Sequence, residues 1–82
     1  MTLKEKKIIV EERIEINPEI MHGRPVIKGT RIPVDFIIGL LAKGLSPEEI
    51  TKKFYPQLKR EDILACLKYA YLLIKDEEIH VR

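Results

Sequence analysis

A chain of 82 residues with 45% hydrophobic and 34% charged side chains has the make-up of a folded globular domain, which excludes a disordered tail. Its 15 Lys and Arg against 13 Asp and Glu leave a net charge of +2, too balanced for a strongly basic nucleic-acid module. The single Cys66 excludes an internal disulfide and suits the reducing cytoplasm, and no apolar run approaches the ~20 residues of a membrane span.

The length fits one domain over 1–82, near the size at which a single core is only just sufficient. No signal-peptide core follows Lys4, Lys6 and Lys7. From Ile8 to Ile16 apolar and charged residues alternate, except at Ile9 and Glu12, which predicts a strand with one buried face. Glu12 marks a bulge or an edge. Asn17-Pro18 stops the strand, and Pro18 to Met21 reads as one helical turn before a loop at His22-Gly23. Val26-Ile27 and Arg31-Ile32 then flank Lys28-Gly29-Thr30 as a short hairpin. That reversal needs a backbone position at φ > 0, which Gly29 supplies. Pro33 is expected to end pairing, because it has no N–H, and to start a helix.

Three helices follow across 34–78, with 79–82 as a tail. The first covers Val34 to Lys43, with Val34, Ile37, Ile38 and Leu41 on one face. Gly39 inside it implies close approach of another backbone. Gly44 suits a left-handed helix end. Ser46, Pro47 and Glu49 then form a capping box, with Leu45 and Ile50 placed as a hydrophobic staple. The second helix runs Pro47 to Phe54, with Ile50 and Phe54 inward and Lys52 and Lys53 outward. The third starts near Arg60 with Glu61 and Asp62 in its first turn, but Lys59 is a poor cap.

From Ile63 to Ile74 this third helix is nearly all apolar, relieved by Lys68 and by Ala65 at a surface-compatible position. Ala70, Tyr71, Leu72, Leu73 and Ile74 are apolar all round. A helix of that kind must be covered on more than one side, which predicts a homodimer through these residues. The alternative cover is the N-terminal strand of the same chain.

The fold class is therefore α+β: an N-terminal strand and short hairpin over 1–33, then three helices with tight corners in the manner of a helix-turn-helix. Asn17-Pro18-Glu19-Ile20, Gly23-Arg24-Pro25-Val26-Ile27, Gly29-Thr30-Arg31-Ile32-Pro33-Val34, Gly44-Leu45-Ser46, Tyr55-Pro56-Gln57-Leu58 and Glu61-Asp62-Ile63 with Leu67-Tyr69-Ala70 resemble the domain of unknown function family numbered 433. The resemblance covers about Ile14 to Tyr71. It implies a homeodomain-like three-helix bundle, and an antitoxin role beside small PIN-like ribonuclease toxins, as in VapBC-type systems. Lys59 departs from the family's Thr or Ser cap.

In a helix-turn-helix, the third helix would present Arg60 and Gln57 to base edges, with Lys52, Lys53, Lys59 and Lys68 on phosphates of double-stranded DNA. Glu61 and Asp62 put negative charge in the same place, and a core surrounded by solvated lysines accounts for the pattern equally well. His22 and His80 have no partnered nucleophile, and Cys66 reads as a buried, inert thiol. No catalytic set, metal site or cofactor motif emerges. Three readings remain: an antitoxin-like binder of a PIN-like toxin that also contacts operator DNA, a stand-alone DNA-binding regulator, and a small hydrolase or ribonuclease using His22, Arg24 and Arg31. Near-neutral charge favours the first over the second, and the lack of an acid–base pair counts against the third.

Overall fold

Alternating Ile and charged residues at the N-terminal end yield a short ladder. The computed structural model describes the backbone of residues 12–81 and the side chains of residues 12–75. Strand β1, Ile14–Glu15, pairs antiparallel with β2, Val26–Ile27, setting Ile14 opposite Ile27 and Glu15 opposite Val26. The part of the expected strand at 8–11 lies outside the described residues. Residues 12–13 form a turn, and Ile16 is exposed where the alternation placed it inside. The ladder stops at Glu15, so period 2 no longer governs Ile16. Asn17 closes the strand by accepting the Glu19 N–H on Oδ1 at 2.9 Å.

A single turn forms near the start of the expected one, the Ile20 N–H donating to the Asn17 carbonyl at 2.8 Å, but it does not extend to Met21, where the backbone turns left-handed. Met21–Gly23 forms one tight turn with φ of 53°, 57° and 83°, all left-handed. Gly23 donates to the Ile20 carbonyl and Arg24 to the Met21 carbonyl, each at 3.1 Å. Left-handed backbone costs an L-residue roughly 1–2 kcal/mol, so Met21 and His22 store strain that their surroundings must offset.

The other edge of β2 meets Pro33 in an isolated antiparallel bridge with Val26. Ile27 donates to the Ile32 carbonyl at 3.0 Å and Val34 to the Pro25 carbonyl at 2.9 Å. These bonds flank Pro33, which sits at the non-hydrogen-bonded position and needs no donor there. Pro33 thus takes part in pairing where the sequence expectation had it end pairing. Gly29, at φ 81°, makes the intervening reversal, and Thr30 Oγ1 both donates to the Ile27 carbonyl and accepts from the Ile32 N–H.

Helix α1, Val34–Ala42, buries Val34 and Ile37 and packs Ile38, Leu40 and Leu41 against the core. It ends in a Schellman motif: Leu45 donates to the Leu40 carbonyl and Gly44, at φ 100°, to that of Leu41. Beside Gly39 no heavy atom outside its own helix lies within 4 Å of where a Cβ would stand, so among the described residues the expected close backbone is not there. Helix α2, Pro47–Glu49, carries the full capping box, with Glu49 N–H on Ser46 Oγ at 3.1 Å and Ser46 N–H on Glu49 Oε1 at 2.8 Å. It widens into a π turn over Ile50–Phe54, closed by the Tyr55 N–H on the Ile50 carbonyl at 2.9 Å. The wider turn brings half-buried Tyr55 to the core while Phe54, expected inward, is exposed.

Helix α3, Arg60–Val81, begins without a side-chain cap from Lys59. Asp62 supplies the missing half by accepting the Lys59 N–H at 2.8 Å, and its other oxygen takes Arg13 at 3.0 Å. Ile63, Ala65, Cys66 and Tyr69 are buried, so Ala65 is a core residue and not a surface one. Burial also raises the Tyr69 phenol above its ordinary pKa. Ile27, Ile32, Val34, Ile37, Ile50, Leu58, Ile63 and Cys66 close one core between sheet and helices.

Candidate partner-binding and nucleic-acid surfaces

The core runs out along α3 after Tyr69, whereas the helix continues to Val81. At 1.5 Å per residue, that extension is about 18 Å long. On it Tyr71 is 60% exposed, Leu73 51% and Ile74 62%, while Ala70 and Leu72 are half-buried. Strand β1 meets α3 near its start, at the Arg13–Asp62 pair, and among the described residues it does not cover this apolar end. Leu64 and Leu67, further back on the solvent side, are exposed as well. Exposed apolar surface of this continuity marks an interaction face more often than an ordinary surface.

The six candidate DNA contacts come from the π turn, the corner at Gln57 and helix α3. Lys52 and Lys53 are exposed on the π turn; Lys59 and Arg60 stand at the start of α3, and Lys68 lies two turns further on. Arg60 Nε is held by Glu48 Oε2 at 3.0 Å, which cancels its charge locally, and Glu61 is exposed next to it. The Asp62 carboxylate is engaged in the helix cap and the Arg13 pair. Gln57 belongs to a different feature: an open cleft of about 610 Å³ lined by Glu15, Ile20, Gly29, Thr30, Arg31, Ile32 and Gln57. Two residues singled out for separate reasons, Gln57 and Arg31, thus meet in one place.

His22, Arg24 and Arg31 are not assembled into one site. His22 is exposed on the left-handed turn, and neither it nor Arg24 lines the cleft with Arg31. Arg24 instead reaches α1, donating to both carboxylate oxygens of Asp35 at 2.7 Å and lying 5.6 Å from the centre of the Phe36 ring. That clamp fastens the strained turn to the first turn of α1. Nothing in composition or spacing pointed to it. Among the described residues no group of three His, Cys, Asp or Glu could hold a metal ion, and no helix is long and apolar enough to cross a membrane.

A two-stranded antiparallel sheet folded onto three helices, with the last helix outrunning the core, makes this a small α+β domain. Residues 14–70 match the family described as Protein of unknown function (DUF433), and the chain belongs to that family. Its fold is similar to the crystal structure of a DUF433 member protein from Anabaena variabilis, with a TM-score of 0.69 and 24% identity over 96% of this chain and 76% of that one. At that identity the likeness speaks for the fold alone. An "Uncharacterized protein" of Archaeoglobus fulgidus is 62% identical over 24 residues, which are 29% of this chain and 67% of that one.

Proposed function

We propose that the protein is a cytoplasmic binding module of the antitoxin kind, not an enzyme, and that it engages a PIN-like ribonuclease through the apolar end of α3. The exposure of Tyr71, Leu73 and Ile74 beyond the core is the observation that carries this reading. The family likeness supports it as well, through the antitoxin role that the sequence resemblance implies. In this reading the homeodomain-like helix-turn-helix contacts operator DNA only secondarily. Glu48 on Arg60, and the acids Glu61 and Asp62 beside it, leave few usable cations at the start of the recognition helix. Log affinity for duplex DNA falls with log salt by about 0.9 per phosphate neutralised, so a module with so few cations binds weakly at physiological salt. An apolar contact survives added salt.

Co-expression with the product of the adjacent reading frame, purification in high salt and a growth-rescue assay test the proposal. A salt-resistant complex that relieves toxicity is expected. Nanomolar, sequence-specific DNA binding by the isolated chain, with no partner recovered, would overturn it in favour of a stand-alone regulator.

A further inference from the structure

On the side of α3 opposite the buried Ala65 and Tyr69, the exposed residues Leu64, Leu67, Tyr71 and Ile74 follow one another at intervals of three, four and three. That is the spacing of a coiled-coil seam, where side chains of one helix insert between those of another. Exposed Glu61 and Lys75 flank the seam on the same side, one near each end. We infer that two copies of this chain pair through α3 in antiparallel orientation, Leu64 against Ile74 and Leu67 against Tyr71 of the second copy.

Charge selects the orientation. The antiparallel register brings Glu61 beside Lys75 of the second copy, and the two-fold symmetry makes that contact twice. A parallel pair keeps the two charges about 21 Å apart along the axis. Lys68, midway between them, meets its own counterpart at the solvated rim, a like-charge contact among the described side chains. Ala70 flanks the seam on the other side, where its small side chain lets the helices approach closely. The two seams together cover on the order of 1,000 Å², about the least that a specific interface buries, so the pairing is expected at micromolar concentration and not far below it. This inference does not rest on the toxin reading, but Tyr71 and Ile74 belong to both faces, so self-pairing and a toxin complex compete for them.

Light scattering on the full chain at tens of micromolar is expected to give twice the 9.6 kDa chain mass. Glu61→Lys and Lys75→Glu should each raise the dimer dissociation constant about tenfold, since each sets two like-charge contacts in place of two attractive ones. The double substitution should return it to within about threefold of the parent, because the charges are then exchanged. Both side chains are exposed in the single chain, so folding is not at stake, and far-ultraviolet circular dichroism checks this. A monomeric parent overturns the inference. A dimer whose double variant is no tighter than the single ones overturns the antiparallel register.

Discussion

Adding one methyl group should move stability in opposite directions at two glycines only five positions apart. Gly44 has φ 100° at the end of α1, and a Cβ there would meet nothing within 4 Å. Any cost of Gly44→Ala is therefore conformational, without a steric part. A left-handed alanine costs roughly 1–2 kcal/mol. Gly39 sits inside α1 and is not among the positive-φ residues, and its Cβ position is equally open. Gly39→Ala should consequently stabilise by about 1 kcal/mol, the helix-propensity difference between the two residues. For a domain of this size, 1 kcal/mol moves the melting temperature by about 4–8 °C. Thermal melts followed by circular dichroism at one fixed protein concentration should thus show Gly39→Ala above the parent and Gly44→Ala below it. Equal or higher melting of Gly44→Ala would refute the left-handed Schellman end. A lower melting temperature for Gly39→Ala would mean that something outside the single chain packs on that helix position.

Ser46→Ala removes one side of the capping box and should cost about 1 kcal/mol in urea unfolding, with a lower midpoint and an unchanged slope. The hydrogen bond from the Ser46 backbone is the chief cause holding the Glu49 carboxyl below its ordinary pKa of 4.5. The unfolded chain therefore binds the proton first, and this cap's contribution is present above that ordinary value and lost as pH falls through the folded one. Glu49→Gln should flatten that part of the acid limb of stability against pH. Asp62→Ala should cost about 1–2 kcal/mol, because its carboxylate, only 13% exposed, both caps α3 and holds Arg13. Glu48→Ala, which breaks a pair exposed on both sides, should change stability by less than about 0.5 kcal/mol under the same conditions.

Local backbone chemistry was the part of this fold most legible in the sequence. Gly29, Gly44 and Ser46-Pro47-Glu48-Glu49 specify their turns and caps through their own φ preferences and short side chains, so they appear where expected. The apolar face of α1 was legible for the same reason, since Val34 and Ile37 recur at helical spacing. Features set by distant residues were not. The left-handed Met21-His22 pair is unfavourable in isolation, and residue type gives no sign of it apart from the following Gly23. Asp62 was legible as a helix-start acid, but its bond to Arg13 joins residues 49 positions apart. Ala65 misled because a small side chain suits either surface or core, and Phe54 because the π turn shifts the spacing after Ile50. Of the candidate surfaces, the apolar run on α3 could be read directly. The meeting of Arg31 with Gln57 depends on how the hairpin lies against the corner before α3.

The shortness of the β1–β2 ladder bears on the order in which the molecule opens. Among the described residues, the contacts that hold β1 include two paired positions, the Lys28 amide on the Arg13 carbonyl, the Arg13 ion pair to α3 and the packing of Ile14 on the core. The fully buried side chains, by contrast, all lie between Val26 and Cys66. Detaching β1 uncovers half-buried Ile14 yet leaves the contacts among β2 and the helices in place. The chain therefore has two free energies of opening. The smaller one frees β1 from β2, and the larger one dissolves the core. Hydrogen exchange would register the difference as a Lys28 amide that trades its proton well before the interior amides of α1. Loop-closure entropy predicts the same hierarchy in reverse for folding: the short-range turns and helices around the core should close first, and the 49-residue link to Arg13 last.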